Sequence, residues 1–173
     1  MPELTTIRDL LEEEIKDLHS AEKQLMAALP KLAKGANNPE LVKAIEDHLA
    51  ETQEQATRLE QAAKTIGVTP TGKKCAGMEG LIKEGAEVLV EHGQETLQDL
   101  AIIGAAARVE HYEIAAYSTA IMLAEQIDQH EVVKTLNESL AEEQAAEKKL
   151  RTLAKAIVKS APAEQEEKTR ASA

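Results

Sequence analysis

The sequence predicts an all-α protein, a four-helix bundle in which one long crossover contains an extra short helix. Apolar residues recur at intervals of three and four along four long segments, the pattern of helices that bury one face. Apolar residues make up 43% of the 173 residues, yet the only aromatic ones are Tyr112 and Tyr117. The core must therefore consist of Leu, Ile, Val, Ala and Met, which suits helix against helix better than a sheet.

The first helix is predicted to begin at Thr5 or Thr6. A threonine side chain at this position accepts a hydrogen bond from one of the free N–H groups of the first turn. Pro30 is expected to bend the helix or to end it within another turn, because proline removes a backbone hydrogen bond. Residues 35–39 should then form the connection to the second helix.

The second helix carries start and stop signals at both ends. Asn38 is a good N-cap, and Pro39 fits the first helical position, where its missing N–H group costs nothing. Gly67 is expected to close the helix, because glycine adopts the left-handed conformation of a C-cap easily. These signals predict a helix of about seven turns.

The segment between the second and third helices is too long and too rich in glycine and proline to be a hairpin turn. Residues 68–93 hold Pro70 and several glycines, with a single short amphipathic stretch from Met78 to Val90. Four-helix bundles of the ferritin type join their two helix pairs by one long crossover. The sequence therefore predicts a ferritin-like bundle with a short helix in its crossover.

The third and fourth helices complete the bundle. Their apolar faces extend over residues 97–121 and 133–157. After residue 160 the chain consists mainly of Ala, Pro, Glu, Gln, Lys and Ser, a composition that cannot form a packed core. We therefore expect a bundle over residues 1–160 and a disordered tail over residues 161–173.

Ionisable side chains occupy the predicted buried faces of all four long helices. In the fourth helix, Glu143 and Glu147 interrupt a stripe that otherwise consists of leucine and other apolar residues. A carboxylate buried alone in such a core takes up a proton or finds a cation. Several carboxylates that converge from different helices predict a metal site with seven candidate ligands, namely Glu22, His48, Glu51, Glu110, Glu113, Glu143 and Glu147.

The spacing of these candidates fits metal binding. Each helical residue advances about 100° around the axis, so residues three or four apart differ by about 40–60° and can place two ligands on one metal. Oxygen-rich ligand sets with one imidazole suit iron or manganese, and the lack of thiolates argues against structural zinc. We expect a di-iron centre, with manganese or zinc as alternatives.

Each candidate also has an ordinary structural interpretation. Glutamate is a strong helix former, and any single one of these residues fits a solvated or salt-bridged position about equally well. Glu110 and Glu147 are the exceptions, because apolar residues flank them on the same face. Tyr117 lies two turns after Glu110, where plain core packing is favoured over a hydrogen bond to a ligand or a radical role.

The other histidines are expected at the surface or beside the ligands. His19, His92, His111 and His130 lie at segment edges or away from the apolar stripes. His48 by itself would be a half-buried, hydrogen-bonded histidine, and only its neighbour Glu51 favours the ligand interpretation. Of the four, His111 adjoins a candidate ligand, Glu110, which favours a position beside the ligands.

Charge and cysteine content narrow the function classes. The formal charge of −11 argues against nucleic acid and anionic membranes as partners. The sequence has no signal-peptide pattern and no apolar run long enough to span a bilayer, so a cytoplasmic location is expected. Cys75 stands alone, which excludes an internal disulfide and predicts a reduced thiol near a helix start.

The sequence resembles the ferritin-like family of stress-associated bacterial proteins typified by YciF and YciE. The resemblance covers about residues 6–157 and is carried by five blocks, DLHSAEKQL, HLAET, KKCAGMEGLI, VEHYEIAAY and LAEEQAAEKKL. It implies a ferritin-like bundle, usually dimeric, with a dinuclear metal site and no known reaction.

This chain departs from related patterns at several positions. Ferritins and rubrerythrins carry Glu-x-x-His on two helices, whereas here His48 precedes Glu51 and the fourth helix has no histidine. Members of the resembled family often carry tyrosine at the position of His19 and aspartate at that of Glu147. These departures leave the metal and its redox potential open.

Two functions of different classes follow. The leading hypothesis is a di-iron or di-manganese carboxylate protein of ferroxidase or peroxidase type, which oxidises ferrous iron or reduces peroxide with a small oxidant. The alternative is a non-catalytic homodimeric bundle that serves as a binding module during stress, with a structural or vestigial metal site. Storage in a ferritin cage is a weaker third reading, because no feature specifies a shell.

Overall fold

The computed structural model describes residues 4–89 and 94–161, and this part of the chain is helical with no strand. The all-α prediction is confirmed. The five α-helices are α1 (Ile7–Gly35), α2 (Pro39–Thr65), α3 (Ala76–Val88), α4 (Glu95–Gln126) and α5 (His130–Ile157), and a single 3-10 turn follows at Val158–Ser160.

The four long helices form a bundle of two hairpins. Helix α1 packs on α2 and α5 packs on α4, and the two pairs meet along α1–α4 and α2–α5. Helix α3 lies in the crossover and packs against α4 and α1. The predicted four-helix bundle with one long crossover and an extra short helix is therefore confirmed.

Local signals position the helix starts as expected. Thr6 is the N-cap of α1: its hydroxyl accepts from the Asp9 N–H at 3.1 Å, and the Asp9 carboxylate accepts from the Thr6 N–H at 2.8 Å. The Asn38 side chain accepts from the N–H groups of the first turn of α2, where Pro39 is the first residue. Pro30 lies inside α1, which continues to Gly35.

The end of α2 depends on a glycine in the left-handed region. Gly67 has φ +72°, and its N–H group donates to the Lys64 carbonyl at 3.1 Å. The next N–H group, that of Val68, reaches back to the Ala63 carbonyl at 2.9 Å. This paired arrangement satisfies carbonyls that the last turn would otherwise leave free, so the predicted closure at Gly67 is confirmed.

Three expectations fall partly or wholly outside the described residues. Helix α3 ends at Val88 with Leu89 as its C-cap, two residues before the predicted end at Val90, which is not described. His92 and residues 162–173 also lie outside the described part of the chain. The division into a bundle and a disordered tail therefore stays a prediction.

The core consists of two apolar clusters with a polar layer between them. One cluster contains Leu25, Leu41 and Ile102, and the other contains Leu18 and Leu136. Along each long helix, a buried ionisable residue of this layer lies between positions that belong to these two clusters. Asp99, which is buried near the start of α4, instead accepts from the N–H groups of Asn37 and Asn38. Within the described residues, no helix is long and apolar enough to cross a membrane.

Candidate metal centre

Five of the seven predicted ligands are buried in the polar layer at the middle of the bundle. Each of the four long helices contributes at least one of them, and all five are at most 6% exposed: Glu22, His48, Glu110, Glu113 and Glu143. Four of these, His48, Glu110, Glu113 and Glu143, each offer one ligand atom, and these atoms lie within 4.8 Å of one another. The structure thus brings together residues up to 95 positions apart in sequence, because it packs α2 on α5 and α5 on α4.

The His48 imidazole is oriented so that one ring nitrogen faces the acids. Its Nε2 atom lies 3.5 Å from Glu110 Oε1 and 3.9 Å from Glu143 Oε2. Its Nδ1 atom lies 3.4 Å from Glu51 Oε2, within hydrogen-bonding distance. A carboxylate on the far nitrogen is the usual means of directing the other nitrogen of a histidine at a metal.

Several polar atoms of this layer are buried without a hydrogen-bond partner among the described residues. They are Glu22 Oε2, His48 Nε2, Gln55 Oε1, Glu110 Oε2, Glu113 Oε1 and Glu143 Oε2. Native interiors leave few such atoms, because each one costs about 1–3 kcal/mol. Hard oxygen donors with one imidazole match the preferences of iron and manganese, so the residues present fit a bound metal.

Burial and mutual repulsion perturb the acids of this layer. Burial, reinforced by the charge of Glu143, raises the pKa of Glu22 well above its usual value. Burial is also the main cause of the raised pKa values of Glu110 and Glu113, with neighbouring carboxylates adding to it. Without a cation, the folded chain therefore holds protons on carboxyl groups that the unfolded chain would release near pH 4.5.

The pKa of His48 is also raised. Burial alone would lower this pKa, but the hydrogen bond to Glu51 and the charge of Glu143 outweigh it. A metal ion bound at Nε2 would compete with that proton, because only the neutral imidazole is a ligand.

Two side chains hold the acids in position. The Tyr117 hydroxyl is fully buried and donates to Glu22 Oε1 at 2.5 Å. Tyr117 is thus a packed core residue with a satisfied hydroxyl, and its partner is a candidate ligand. Gln55 Nε2 donates to Glu143, and also to Glu142 Oε2 at 3.0 Å.

Sequence reasoning missed the part played by Gln55 and the residues behind it. Arg58 donates to both oxygens of Glu142, at 2.6 and 2.8 Å, and so fixes the second acceptor of Gln55. One signal was available: Gln55 is a polar residue on the buried stripe of α2, two turns after His48. Its partners lie 87 and 88 positions away, and no local pattern indicates them.

The other two predicted ligands, Glu51 and Glu147, lie outside the group of five buried candidates, which we call the central group. The Glu51 side chain is 43% exposed and reaches only the outer nitrogen of His48. Glu147 lies at the edge of α5, where it accepts from Arg151 Nε at 3.0 Å and lies 3.7 Å from His111 Nε2. At 100° per residue Glu147 is turned about 40° from Glu143, away from the side on which the buried residues Ser139, Leu153 and Ile157 lie.

The remaining histidines lie outside the central group. His19 is buried, so the surface position that the sequence suggested for it is wrong. Its Nε2 atom lies 3.3 Å from Glu60 Oε1. His111 and His130 are exposed, and only His111 approaches a predicted ligand, Glu147.

A second polar cluster, which we call the Asp17 cluster, joins α1, the start of α3 and α4. It consists of Asp17, Lys73, Cys75 and Tyr112. The Tyr112 hydroxyl donates to Asp17 Oδ2 at 2.5 Å and lies 2.9 Å from Cys75 Sγ, while Lys73 Nζ lies 3.3 Å from Asp17 Oδ1. Cys75 is the buried N-cap of α3, as the sequence predicted, and burial raises the pKa of its thiol.

Known proteins share this architecture. A family model described as Domain of unknown function (DUF892) matches residues 6–163. The chain is 42% identical over 152 residues to Protein YciF of Escherichia coli (strain K12), covering 87% of this chain and 92% of that protein. The crystal structure of the E. coli stress protein YciF superposes with a TM-score of 0.88 at 41% identity, over 91% of this chain and 100% of that one.

Two further solved structures are similar. YcfI from Rhodopseudomonas palustris, described provisionally as a structural protein, is 42% identical with a TM-score of 0.84, over 87% of this chain and 96% of that one. A structure described as ferritin-like, diiron-carboxylate proteins from Bacillus anthracis str. Ames has a TM-score of 0.67 at 18% identity, over 87% and 99% of the two chains. At that identity the likeness concerns the fold alone.

Proposed function

The chain belongs to the family described as Domain of unknown function (DUF892). We propose that it is a carboxylate protein with a two-metal site, occupied by two irons, that oxidises ferrous iron or reduces peroxide. The single observation that carries this proposal is the layer of unpartnered atoms inside the bundle. Four acids and one imidazole each leave a ligand atom without a hydrogen-bond partner there. A bound divalent metal pair would give these ligand atoms partners.

Protons alone satisfy this layer poorly. A protonated carboxyl group donates one hydrogen bond, and its partners in this layer are other acids that also need protons. Like-charged carboxylates in one site can avoid repulsion only by raising their pKa values, which several of these acids do. Metal ions remove the repulsion without this cost, and the helices hold the ligands more firmly than loops would.

The proposed ligands are the five buried residues: Glu22, His48, Glu110, Glu113 and Glu143. Glu51 orients His48 from the solvent side, Tyr117 holds Glu22, and Gln55 holds Glu143. Iron bound there would cycle between its ferrous and ferric states. With peroxide as the oxidant, two ferrous ions, one hydrogen peroxide and two protons give two ferric ions and two waters.

Metal loading followed by oxidation tests this proposal. Anaerobic loading with Fe(II) should give about two irons per chain by elemental analysis, the usual di-iron stoichiometry. Mixing with peroxide should then give a ferric absorbance band in stopped-flow measurements. Both should disappear in Glu110→Ala and persist in Glu125→Ala, which removes an exposed carboxylate from the same helix.

Two outcomes would count against the proposal. No stoichiometric uptake of iron, manganese or zinc would remove the metal site itself. Uptake followed by Fe(II) that stays unreacted as long as it does in buffer would remove the redox function only.

The second candidate function is a non-catalytic bundle that acts as a structural or binding module under stress. The observation that favours it is the description of the R. palustris relative as a structural protein. The description of the E. coli relative as a stress protein favours a stress-related role under either function. Loss of redox activity with intact metal binding would select this candidate.

The homodimer and the cytoplasmic location also stay proposals. Helix α3 buries Met78 and Gly85 against its own bundle. Of the large apolar residues that the described part of the chain exposes, Leu4, Ile7 and Leu10 lie together at the start of α1 and are 36–52% exposed. The others are Leu97 and Met122 on α4 and Val158 after α5. Light scattering should give a dimer mass, and Ile7→Lys with Leu10→Lys should give a monomer. A monomer mass for the unaltered chain at micromolar concentration would contradict the dimer.

A further inference from the structure

An apolar pocket lies between α1, α3 and α4 and ends at one of the candidate metal ligands. Its cavity volume is about 180 Å³. Its walls are mainly aliphatic side chains, among them Leu25, Leu81, Ile82 and Val109, and Glu110 also lines it. Glu110 also belongs to the buried polar layer at the middle of the bundle, so the pocket reaches that layer at Glu110.

The pocket exists because small residues face one another where larger ones would fill the space. Helix α1 contributes Ala28, and α4 contributes Ala105 and Ala106. Helix α3 contributes Gly85, where an added Cβ atom would lie in ordinary contact with the Ala105 Cβ, at 3.6 Å. The crossover helix therefore covers the bundle closely at Gly85 and leaves a space beside it.

The polar groups of this pocket are few. Gln24 already donates to the Cys75 carbonyl at 3.0 Å and to the Ser20 hydroxyl at 3.2 Å. Lys31 is an exposed residue and lies at the mouth. At the inner end, Glu110 Oε2 is buried without a partner. The lining suits an uncharged molecule that buries an aliphatic part and brings at most one polar group to Glu110.

A different pocket approaches the same carboxylate from the other side of the bundle. It has a volume of about 220 Å³, lies between α2, α4 and α5, and is lined by Asp47, His48, Glu51 and Glu110 among others. Asp47 pairs there with Lys149, whose Nζ atom lies 3.1 Å from Asp47 Oδ2, so Glu51 is the acidic side chain at the rim that can attract cations. The two pockets thus present opposite chemistry to one carboxylate.

We propose that the apolar pocket is a binding site for a small uncharged aliphatic molecule of about six carbons, held against the Glu110 side of the metal centre. Apolar cavities of about 150 Å³ in proteins bind benzene or xenon. A cavity of about 180 Å³ is therefore nearly filled by a six-carbon molecule. A role for that molecule as a substrate rests on the proposed function, whereas its binding does not.

A chain-length series on the metal-free protein tests the binding. The probes are 1-butanol, 1-hexanol and 1-octanol, followed by methyl NMR shifts. Each buried methylene is worth about 0.8 kcal/mol, or about a fourfold change in affinity, so hexanol should bind about 15-fold more tightly than butanol. Octanol should gain less than fourfold over hexanol, because the pocket is then full.

Filling and enlarging variants make the test specific. Ala28→Leu should weaken hexanol binding at least tenfold, whereas Ala115→Leu, the same change at an exposed position of α4, should leave it unaltered. Leu81→Ala enlarges the pocket and should shift the preference toward octanol. This variant tests the pocket if Ala28→Leu does not fold. Hexanol should also show NOE contacts to the methyl groups of Leu25 and Val109.

The outcomes separate this proposal from the proposed function. Equal affinity for the three alcohols, or unaltered hexanol binding in Ala28→Leu, would overturn the pocket as a ligand site. Absence of the NOE contacts despite binding would place the ligand elsewhere and also overturn it. Because the measurements use metal-free protein, a failure of metal loading changes none of these results.

Discussion

The central acids and the Asp17 cluster both join α1 to α4 through buried or half-buried polar groups, yet they differ in how their atoms are satisfied. In the Asp17 cluster, Tyr112 donates to Asp17, Lys73 pairs with Asp17, and Cys75 contacts Tyr112 and caps α3. In the central layer, five candidate ligands each retain an unpartnered buried atom.

This difference is the one expected between a structural network and a ligand-binding site. A network that serves stability has a donor for each acceptor, because an unsatisfied buried group costs more than a formed hydrogen bond returns. The Asp17 cluster contains cationic and hydroxyl donors, whereas the central layer contains mainly acceptors. An added cation or proton would give these acceptors partners.

The pH dependence of stability should differ most between the two regions. Because the pKa values of Glu22, Glu110 and Glu113 are raised, folded metal-free protein binds more protons than the unfolded chain above about pH 4.5. For each extra proton that the folded state holds, the free energy of unfolding falls by about 1.4 kcal/mol per unit of pH increase. Metal-free protein should therefore lose stability from pH 5 to pH 8 in denaturant titrations with a chelator present.

The Asp17 cluster should act in the opposite direction and in another pH range. Burial alone would raise the pKa of Asp17. Hydrogen bonds from Cys75 and Tyr112 outweigh burial and lower this pKa. Its contribution is present above its unfolded value of 3.8 and is lost as pH falls through the folded value. A metal-free stability that rises between pH 5 and pH 8 would contradict the assignment of raised pKa values to the central acids.

Metal addition should stabilise the protein through the central layer only. At a free Mn(II) concentration of 100 times the Kd, the free energy of unfolding should increase by about 2.7 kcal/mol. Melting curves with and without Mn(II) should show this shift in the unaltered chain and in Asp17→Asn. Glu110→Ala should show no shift, and an unchanged shift in that variant would remove Glu110 from the site.

Breaking the satisfied network should destabilise the protein whether or not metal is present. Tyr112→Phe removes the hydroxyl that donates to Asp17 and contacts Cys75. We expect the free energy of unfolding to fall by about 1–3 kcal/mol, the usual cost of unpaired buried groups. Denaturant titration of Tyr112→Phe measures this loss, and Ser118→Ala, which removes an exposed hydroxyl from α4, is the control. Equal losses in the two variants would mean that the Asp17 cluster does not stabilise the protein.

Removing one central acid should have a smaller effect of opposite sign. In metal-free protein, Glu110→Ala relieves repulsion among buried acids but leaves a small cavity, so the free energy of unfolding should rise by about 1 kcal/mol. The same titrations in a chelator measure it. A fall as large as that of Tyr112→Phe would mean that the central acids already form a satisfied network.

Local sequence signals were enough to predict the helices, the start of α1 and both ends of α2. Thr6, Asn38 with Pro39, and Gly67 act through backbone groups within four residues, so their effect does not depend on the rest of the fold. The periodicity of apolar residues likewise indicated which positions face inward near the middle of each helix.

The same periodicity was less accurate for the candidate ligands. It placed Glu110 and Glu113 correctly on the buried face of α4, and Glu143 on that of α5. It also placed Glu51 and Glu147 there, although one is half-exposed and the other lies at an edge beside Arg151. Spacing gives the angle between two residues of one helix, but it does not give the rotation of that helix against its neighbours.

The sequence by itself determined the helical class, the capped boundaries, the crossover and the presence of buried acids, because these follow from contacts within a few turns of chain. Tertiary packing decided which acids meet, that Gln55 and Tyr117 hold them, and that Asp17 and Tyr112, 95 positions apart, form a satisfied network. It also decided that a pocket remains beside Gly85. The physical reason is that helix rotation and approach depend on how all side chains of neighbouring helices fill their common space.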